Sequence, residues 1–135
     1  MPLFHLFHLD MPPHEGVWTP LTKEARYEAM TGSVDAAVRM GIYSEVAHVE
    51  APTIHDVFPL TNHIESDWTE GEAIRALAGQ ARSTSMGDIV MDEDGALFSC
   101  AMVGWQPLAS ELDATFRGML GQQIVTLEEP ETPTP

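Results

Sequence analysis

The run LFHLFHL, from Leu3 to Leu9, strongly limits the folds open to this chain. Successive side chains of a β-strand point to opposite faces, and in this run both sets are largely apolar. Such a strand has to be covered on both faces, as a strand in the middle of a sheet is. We therefore predict a central strand, which ends before Pro12 and Pro13 because proline cannot donate a hydrogen bond to a neighbouring strand.

Three further features predict strands. The clearest is a hairpin, in which Asp88–Met91 forms one strand, the sequence DEDG at 92–95 forms the turn and Ala96–Trp105 forms the returning strand. The stretch Ile42–Val49 is rich in Ile, Tyr and Val, which favours another strand. Gln123–Leu127 predicts a short edge strand.

Capping residues, glycines and prolines predict short helices between the strands. Pro20 suits a first helical position, Thr53 precedes a short helical stretch, and Thr69 with Glu72 has the spacing of a capping box. Gly121 is the predicted end of the last helix. The predicted helices cover residues 20–30, 33–40, 51–60, 69–78 and 110–120.

This mixture of helices and strands, with strands paired in a hairpin, predicts an α+β fold. We expect a small, mainly antiparallel sheet of roughly three to five strands packed with about three to five short helices. Residues 1–127 would form one domain. Residues 128–135 (EEPETPTP) are acidic and proline-rich, which is typical of a disordered tail.

The charge of the chain is strongly unbalanced, with 6 Lys and Arg against 21 Asp and Glu and a formal net charge of −15. Binding to DNA, RNA or anionic lipid needs basic clusters, and the sequence has none. We therefore expect no direct nucleic-acid binding, no membrane association and a basic protein as the partner. Solubility alone is the simpler explanation of the charge.

The single cysteine, Cys100, excludes an intramolecular disulfide framework and suits a reducing cytoplasm. It lies in an apolar run of an acidic chain, whereas a nucleophilic cysteine needs an exposed, electropositive setting. We therefore predict a buried structural thiol.

Six histidines prompt a search for a metal site, but their spacing does not predict one. His5 and His8 point to opposite faces of the predicted strand, and a site at His55 and Asp56 would need the fold to bring His63 close. The acidic turn 92–95 lacks oxygen donors at the first and last positions of a calcium-binding loop. We therefore expect no metal and no cofactor.

The most distinctive segment is Arg82–Asp88, which reads RSTSMGD. Its small polar residues and glycine permit two interpretations. One is a backbone nest that holds an anion with the help of Arg82. The other, which we favour, is a loop whose hydroxyl groups cap the backbone ahead of a strand.

The RSTSMGD segment continues into Ile89-Val90, a D-G turn and a strand that closes in Gly104-Trp105. Over Arg82–Trp105 the chain thereby resembles YodL-like domains, and it is similar to small proteins of bacteriophages and plasmids that carry R-S-x-S-x-G-D before a hairpin. The resemblance implies no catalytic residues. It implies a mobile-element context, in which small acidic proteins often block or redirect a host machine.

We predict a small cytoplasmic accessory protein of phage or plasmid type that binds, and inhibits or redirects, a basic host protein handling nucleic acid. Two alternatives stay open. One is a small enzyme that acts on a polar or phosphorylated substrate through His55, Asp56 and the Arg82–Asp88 loop; the other is a structural subunit of a larger assembly. The candidate binding residues are Trp68, Arg82, Ser83, Ser85, Asp88, Asp92, Glu93, Asp94 and Trp105.

Overall fold

The computed structural model describes residues 1–9, 20–62, 67–77 and 82–128. The described strands are β1 (Leu3–Leu9), β2 (Tyr43–Glu50), β3 (Ile74–Ala76), β4 (Ile89–Met91), β5 (Leu97–Cys100) and β6 (Trp105–Pro107). They form one 6-stranded sheet in the order β3-β2-β1-β4-β5-β6, in which every neighbouring pair is antiparallel. The α+β prediction is therefore confirmed, with a slightly larger sheet than expected.

The described α-helices are α1 (Pro20–Met30), α2 (Asp35–Met40), α3 (Val57–Thr61) and α4 (Ser110–Glu128). Single turns of 3-10 helix lie at Ile54–Asp56, directly before α3, and at Trp68–Glu70.

The strand β1 lies between β2 and β4, which confirms the prediction of a central strand. On one face of the sheet, which we call the helical face, Phe7 packs with buried residues of α1, α2 and α4. On the opposite face, Leu6 packs with α3 and with Trp68. The alternating apolar residues of β1 thus enter two separate cores.

A β-bulge interrupts the pairing of β1 with β2. The register shifts by one residue between Leu6 and Phe7, because Val46 is an extra residue on β2. Glu45 and His48 are three residues apart and would lie on opposite faces of a regular strand. The bulge places both on the helical face.

Several local signals are confirmed. The first helix begins at Pro20. Gly41 ends α2 in the left-handed conformation, with φ of 67°. Thr53 and Asp56 form a capping box at the start of the 3-10 turn. Gly95 has φ of 86° in the acidic turn, as a hairpin turn of this sequence requires.

The prediction of a helix over residues 69–78 is wrong. The cap is Asp67 instead of Thr69, because the Asp67 carboxylate accepts a hydrogen bond from the Thr69 amide at 3.0 Å. The residues that follow form β3, which pairs with β2 along its second edge. Long-range strand pairing here outweighs a helix preference that rests on local signals alone.

Two further boundaries differ from the prediction. The hairpin forms, but its returning strand 96–105 is divided into β5 and β6 by a turn at Gly104, where φ is 75°. The last helix continues through Gly121, so the edge strand predicted at Gln123–Leu127 is wrong. A glycine costs a helix only about 1 kcal/mol, which is too little to end it at Gly121.

Residues 129–135 of the predicted tail lie outside the described residues, and residue 128 is the last of α4. Among the described helices, none combines the length and the apolar character needed to cross a bilayer.

Candidate functional site

Arg82 and Asp88 close the RSTSMGD segment into a tight loop. The guanidinium donates to both carboxylate oxygens, from Nη2 to Oδ1 at 2.7 Å and from Nη1 to Oδ2 at 2.8 Å. The fully buried carboxylate also accepts the backbone amides of Leu9, at 2.9 Å, and Ser85, at 2.8 Å. Each oxygen of Asp88 therefore has two donors, which compensates for the loss of its hydration.

The Arg82 guanidinium makes further contacts within the fold. It donates to the carbonyl oxygens of Ser83, at 2.9 Å, and Leu9, at 3.1 Å, and to the hydroxyl of Ser85 at 3.2 Å. The loop is thereby joined to the end of β1. Asp88 compensates the charge of Arg82, and its carboxylate caps two backbone amides, whereas the prediction assigned the capping to hydroxyl groups.

Trp68 supports this loop from the opposite face of the sheet. Its side chain is buried, and its Nε1–H donates to the carbonyl oxygen of Arg82 at 2.8 Å. The indole lies beside the buried His8 ring, with ring centroids 5.8 Å apart, and His8 Nε2 is 3.0 Å from the hydroxyl of Thr84. Trp68, which we selected as a binding residue, thus has a structural position in the described fold.

A surface groove lies beside Trp105, at the edge of the core that contains Cys100 and Trp105. Its cavity has a volume of about 210 Å³. The turn between β5 and β6 carries Met102 and Val103, which are 83% and 79% exposed, and Phe58 of α3 is 37% exposed on the other side. We call this feature the Trp105 groove; it is lined by His55, Phe58, Pro59, Cys100, Ala101, Met102, Gly104 and Trp105.

Cys100 lines this groove but is itself buried, as predicted. Burial, and to a smaller extent the negative charge of Asp88, raises the pKa of the Cys100 thiol to about 11. The thiol is therefore protonated at neutral pH, whereas a nucleophilic cysteine needs the thiolate.

The acidic turn is held by two of its own carboxylates. Asp92 Oδ1 accepts the amides of Asp94, at 3.0 Å, and Ala96, at 2.8 Å. Glu93 Oε2 accepts the amide of Leu3 at 2.9 Å, which ties the turn to the start of β1. Asp94 is exposed, so it and the outer surface of Glu93 are the parts of this turn open to a partner.

The bulge in β2 assembles a cluster of two histidines and a glutamate on the helical face. Glu45 Oε2 lies 2.7 Å from His5 Nδ1 and 2.9 Å from His48 Nε2. The two imidazole rings meet edge to face, with centroids 4.3 Å apart. Among the described residues, these are the ones whose side chains converge as metal ligands would. We call them the His–Glu–His cluster.

The enzyme alternative depended on His55 and Asp56. The Asp56 carboxylate accepts the amide of Thr53 at 3.1 Å and its hydroxyl at 2.9 Å, so it serves as a helix cap. His55 is exposed and lines the Trp105 groove. With Asp56 and Asp88 both used in structural contacts, that alternative stays a prediction.

The nine candidate binding residues do not form one continuous surface. Asp88 is buried and its partner Arg82 is only one-third exposed. The acidic turn precedes β5, whereas the Trp105 groove follows it. The sequence pointed to Trp105 but missed Met102 and Val103, because we interpreted 96–105 as an uninterrupted strand. Gly104 was the available signal, since a glycine within a strand often marks a break.

Comparisons of this chain with protein-family models, with curated proteins and with solved structures found no match.

Proposed function

We propose that this protein acts by binding another protein, and that the Trp105 groove receives an apolar side chain of a basic partner. The observation that carries the proposal is the exposure of Met102 and Val103 at 83% and 79%, beside a cavity lined by Trp105. We propose in addition that it is a single-domain accessory protein of phage or plasmid type, as the sequence predicts.

The groove has the composition of a protein-binding site. Apolar side chains that are grouped and exposed leave a favourable burial unused until a partner covers them. Methionine adapts its shape to different partners, and tryptophan is enriched among the residues that dominate binding energies. Met102, Val103 and Phe58 therefore supply the exposed contact area, and Trp105, which is itself buried, lines the groove beneath them.

The charge of the chain supports a basic partner. Among the described residues, Arg39, Arg82 and Arg117 form ion pairs with carboxylates of the same chain. Because 21 acidic residues outnumber 6 basic ones, the chain keeps a strong negative field. Such a field attracts a basic protein and disfavours nucleic acid, so we expect no binding to naked duplex DNA.

The resemblance of Arg82–Trp105 to proteins of phages and plasmids supports a more specific role. A basic protein of the host cytoplasm that handles nucleic acid has the charge this surface would recognise. We propose that occupation of its basic surface inhibits or redirects that host protein.

The test compares capture of proteins from a host lysate by three forms of the chain. In the first variant, Met102→Asp and Val103→Asp introduce charge at the groove. In the matched control, Leu21→Asp and Tyr27→Asp do the same on α1, where both side chains are 69% exposed. We expect wild type and control to capture the same protein, identified by mass spectrometry as rich in Lys and Arg, and the groove variant to lose it.

Equal capture by the groove variant and the control would refute the Trp105 groove as the binding site. Light scattering on the purified chain addresses the third possibility, a structural subunit. An assembly of many copies that the groove variant breaks apart would mean that the exposed residues bind other copies of this chain instead of a host protein.

A further inference from the structure

The His–Glu–His cluster depends on a departure from regular strand geometry. Side chains three residues apart on a strand point to opposite faces, and the extra residue Val46 brings Glu45 and His48 onto one face. His5 lies directly opposite His48 on β1. Bulges are frequent beside functional sites, where they re-aim a side chain.

We propose that His5, Glu45 and His48 bind a divalent transition-metal ion, with zinc as the ion that fits best. The ligand atoms of the three side chains lie within 4.8 Å of one another. Tetrahedral zinc with bonds of 2.0–2.1 Å separates its ligand atoms by about 3.3 Å. The present separations of 2.7 and 2.9 Å therefore need to widen by about half an ångström.

The chemistry of the donors selects the kind of ion. Calcium and magnesium prefer sites made of oxygen alone, whereas imidazole suits zinc, copper, nickel and iron. Two imidazoles and one carboxylate form the type of ligand set that leaves a coordination position open. The negative field of the chain also raises the local concentration of cations.

The surroundings leave room for a further ligand on the ion. The side chains of His5, Glu45 and His48 are 31%, 30% and 22% exposed, so ions can reach them from solvent. A cavity of about 240 Å³ adjoins His48 and is also lined by Glu50, Glu72 and Arg75. Water, or a carboxylate or other anionic ligand drawn by Arg75, can occupy the open position.

Binding of the ion changes the position of two protons. An ionised carboxylate can only accept hydrogen bonds, so each hydrogen bond to Glu45 needs a proton on the nitrogen that faces it, Nδ1 of His5 and Nε2 of His48. A metal ion binds an unprotonated nitrogen, so these protons have to leave those two atoms when zinc binds.

The test is titration of the metal-free full chain with zinc chloride, followed by calorimetry and by ¹H–¹⁵N spectra of the histidine rings. We expect one strong site per chain, with the ring signals of His5 and His48 changing as the protons move. His48→Gln and Glu45→Gln should each weaken zinc binding at least about 100-fold, since even residues that only support metal ligands contribute up to this factor. The control His55→Gln, an exposed histidine outside the cluster, should bind as wild type does.

Zinc binding that survives in the double variant His5→Gln/His48→Gln, or its absence from wild type, would overturn the proposal. The ring spectra need no variant and so remain decisive where a substitution impairs folding. Signals that change at His55 but not at His5 and His48 would also count against the site.

Discussion

At the scale of single residues, Arg82 and Asp88 form a partly buried ion pair on which the RSTSMGD loop depends. Asp88 is fully buried, and the side chain of Arg82 is one-third exposed. A buried ion pair adds little net stability compared with an apolar pair, but removal of one partner leaves the other charge uncompensated. Removal of either Arg82 or Asp88 alone should therefore destabilise the loop.

Replacement of Arg82 by methionine should lower the free energy of unfolding by about 3 kcal/mol, because the Asp88 carboxylate keeps its burial and loses its cation. Arg82→Lys retains the charge but not the two parallel hydrogen bonds, and should cost roughly 1–3 kcal/mol. Urea unfolding of both variants measures the difference. Equal stability of wild type and Arg82→Met would show that the pair does not hold the loop.

The buried Cys100 thiol links stability to alkaline pH. Its pKa rises from an ordinary value of 9.0 to about 11 in the fold, so between these pH values the unfolded chain loses a proton that the folded chain keeps. The stability contributed by the neutral thiol is complete below pH 9.0 and is lost as the pH rises to about 11.

We therefore expect the free energy of unfolding of wild type to fall across this interval, and that of Cys100→Ala to fall less. Tyr43 is also buried, with its pKa raised chiefly by burial, and it gives both forms the same additional decline from pH 10.0 upward. Parallel pH profiles of the two forms, measured by urea unfolding, would contradict this reading of Cys100.

At the scale of elements, the contact of the RSTSMGD loop with α1 depends on a missing side chain. Gly87 has φ of 94°, and a Cβ atom there would lie 2.9 Å from the backbone of Ala29 and from Leu9 Cδ1. Gly104 in the β5–β6 turn has φ of 75°, but a Cβ atom there would meet nothing within 4 Å. An alanine at Gly104 therefore introduces backbone strain alone, whereas an alanine at Gly87 introduces backbone strain together with crowding.

Gly104→Ala should cost about 1 kcal/mol, the usual cost of a left-handed backbone with a side chain. Gly87→Ala should cost roughly 3 kcal/mol or more, because overpacking against α1 adds to the same backbone cost. Thermal or urea unfolding of the pair provides the comparison. Similar losses for both variants would mean that α1 moves away from the loop at little cost.

Elements that depend on local signals could be predicted from the sequence, and elements that depend on distant partners could not. The central strand β1 follows from two apolar faces, and the capping box at Thr53 follows from local hydrogen bonds, so both are visible in a short window. β3 forms because β2 offers it an edge, and the bulge at Val46 appears only once β1 and β2 are paired. Both features depend on distant partners. The His–Glu–His cluster requires the bulge, so it could not be predicted from strand periodicity.

At the scale of the whole molecule, charge and apolar contact should govern different steps of binding. The acidic turn lies at the other end of β5 from the Trp105 groove, and four strand residues span about 13 Å. This distance exceeds the screening length of about 8 Å at physiological salt but is well within the length of about 30 Å at 0.01 M. The turn can therefore attract a partner over this distance chiefly when salt is low.

Association and dissociation rates distinguish attraction by charge from apolar contact. They are measured with the protein captured through the groove as the partner. Asp92 holds the backbone of the turn and is therefore kept, and Glu93→Lys and Asp94→Lys are introduced. The change at Glu93 also removes its exposed hydrogen bond with the Leu3 amide, which should cost about 1 kcal/mol of stability. This variant should bind more slowly than wild type at low salt, by about tenfold, and at nearly the same rate at physiological salt, with little change in dissociation. The groove variant at Met102 and Val103 should instead dissociate faster at both salt concentrations, because apolar contacts determine the lifetime of the complex. Reversal of Glu24 and Glu28 on α1 alters the net charge equally and serves as the control. If the control slows association as much as the turn variant does, the net charge of the molecule attracts the partner and the turn has no special role. If the turn variant changes only the dissociation rate, the turn belongs to the contact surface.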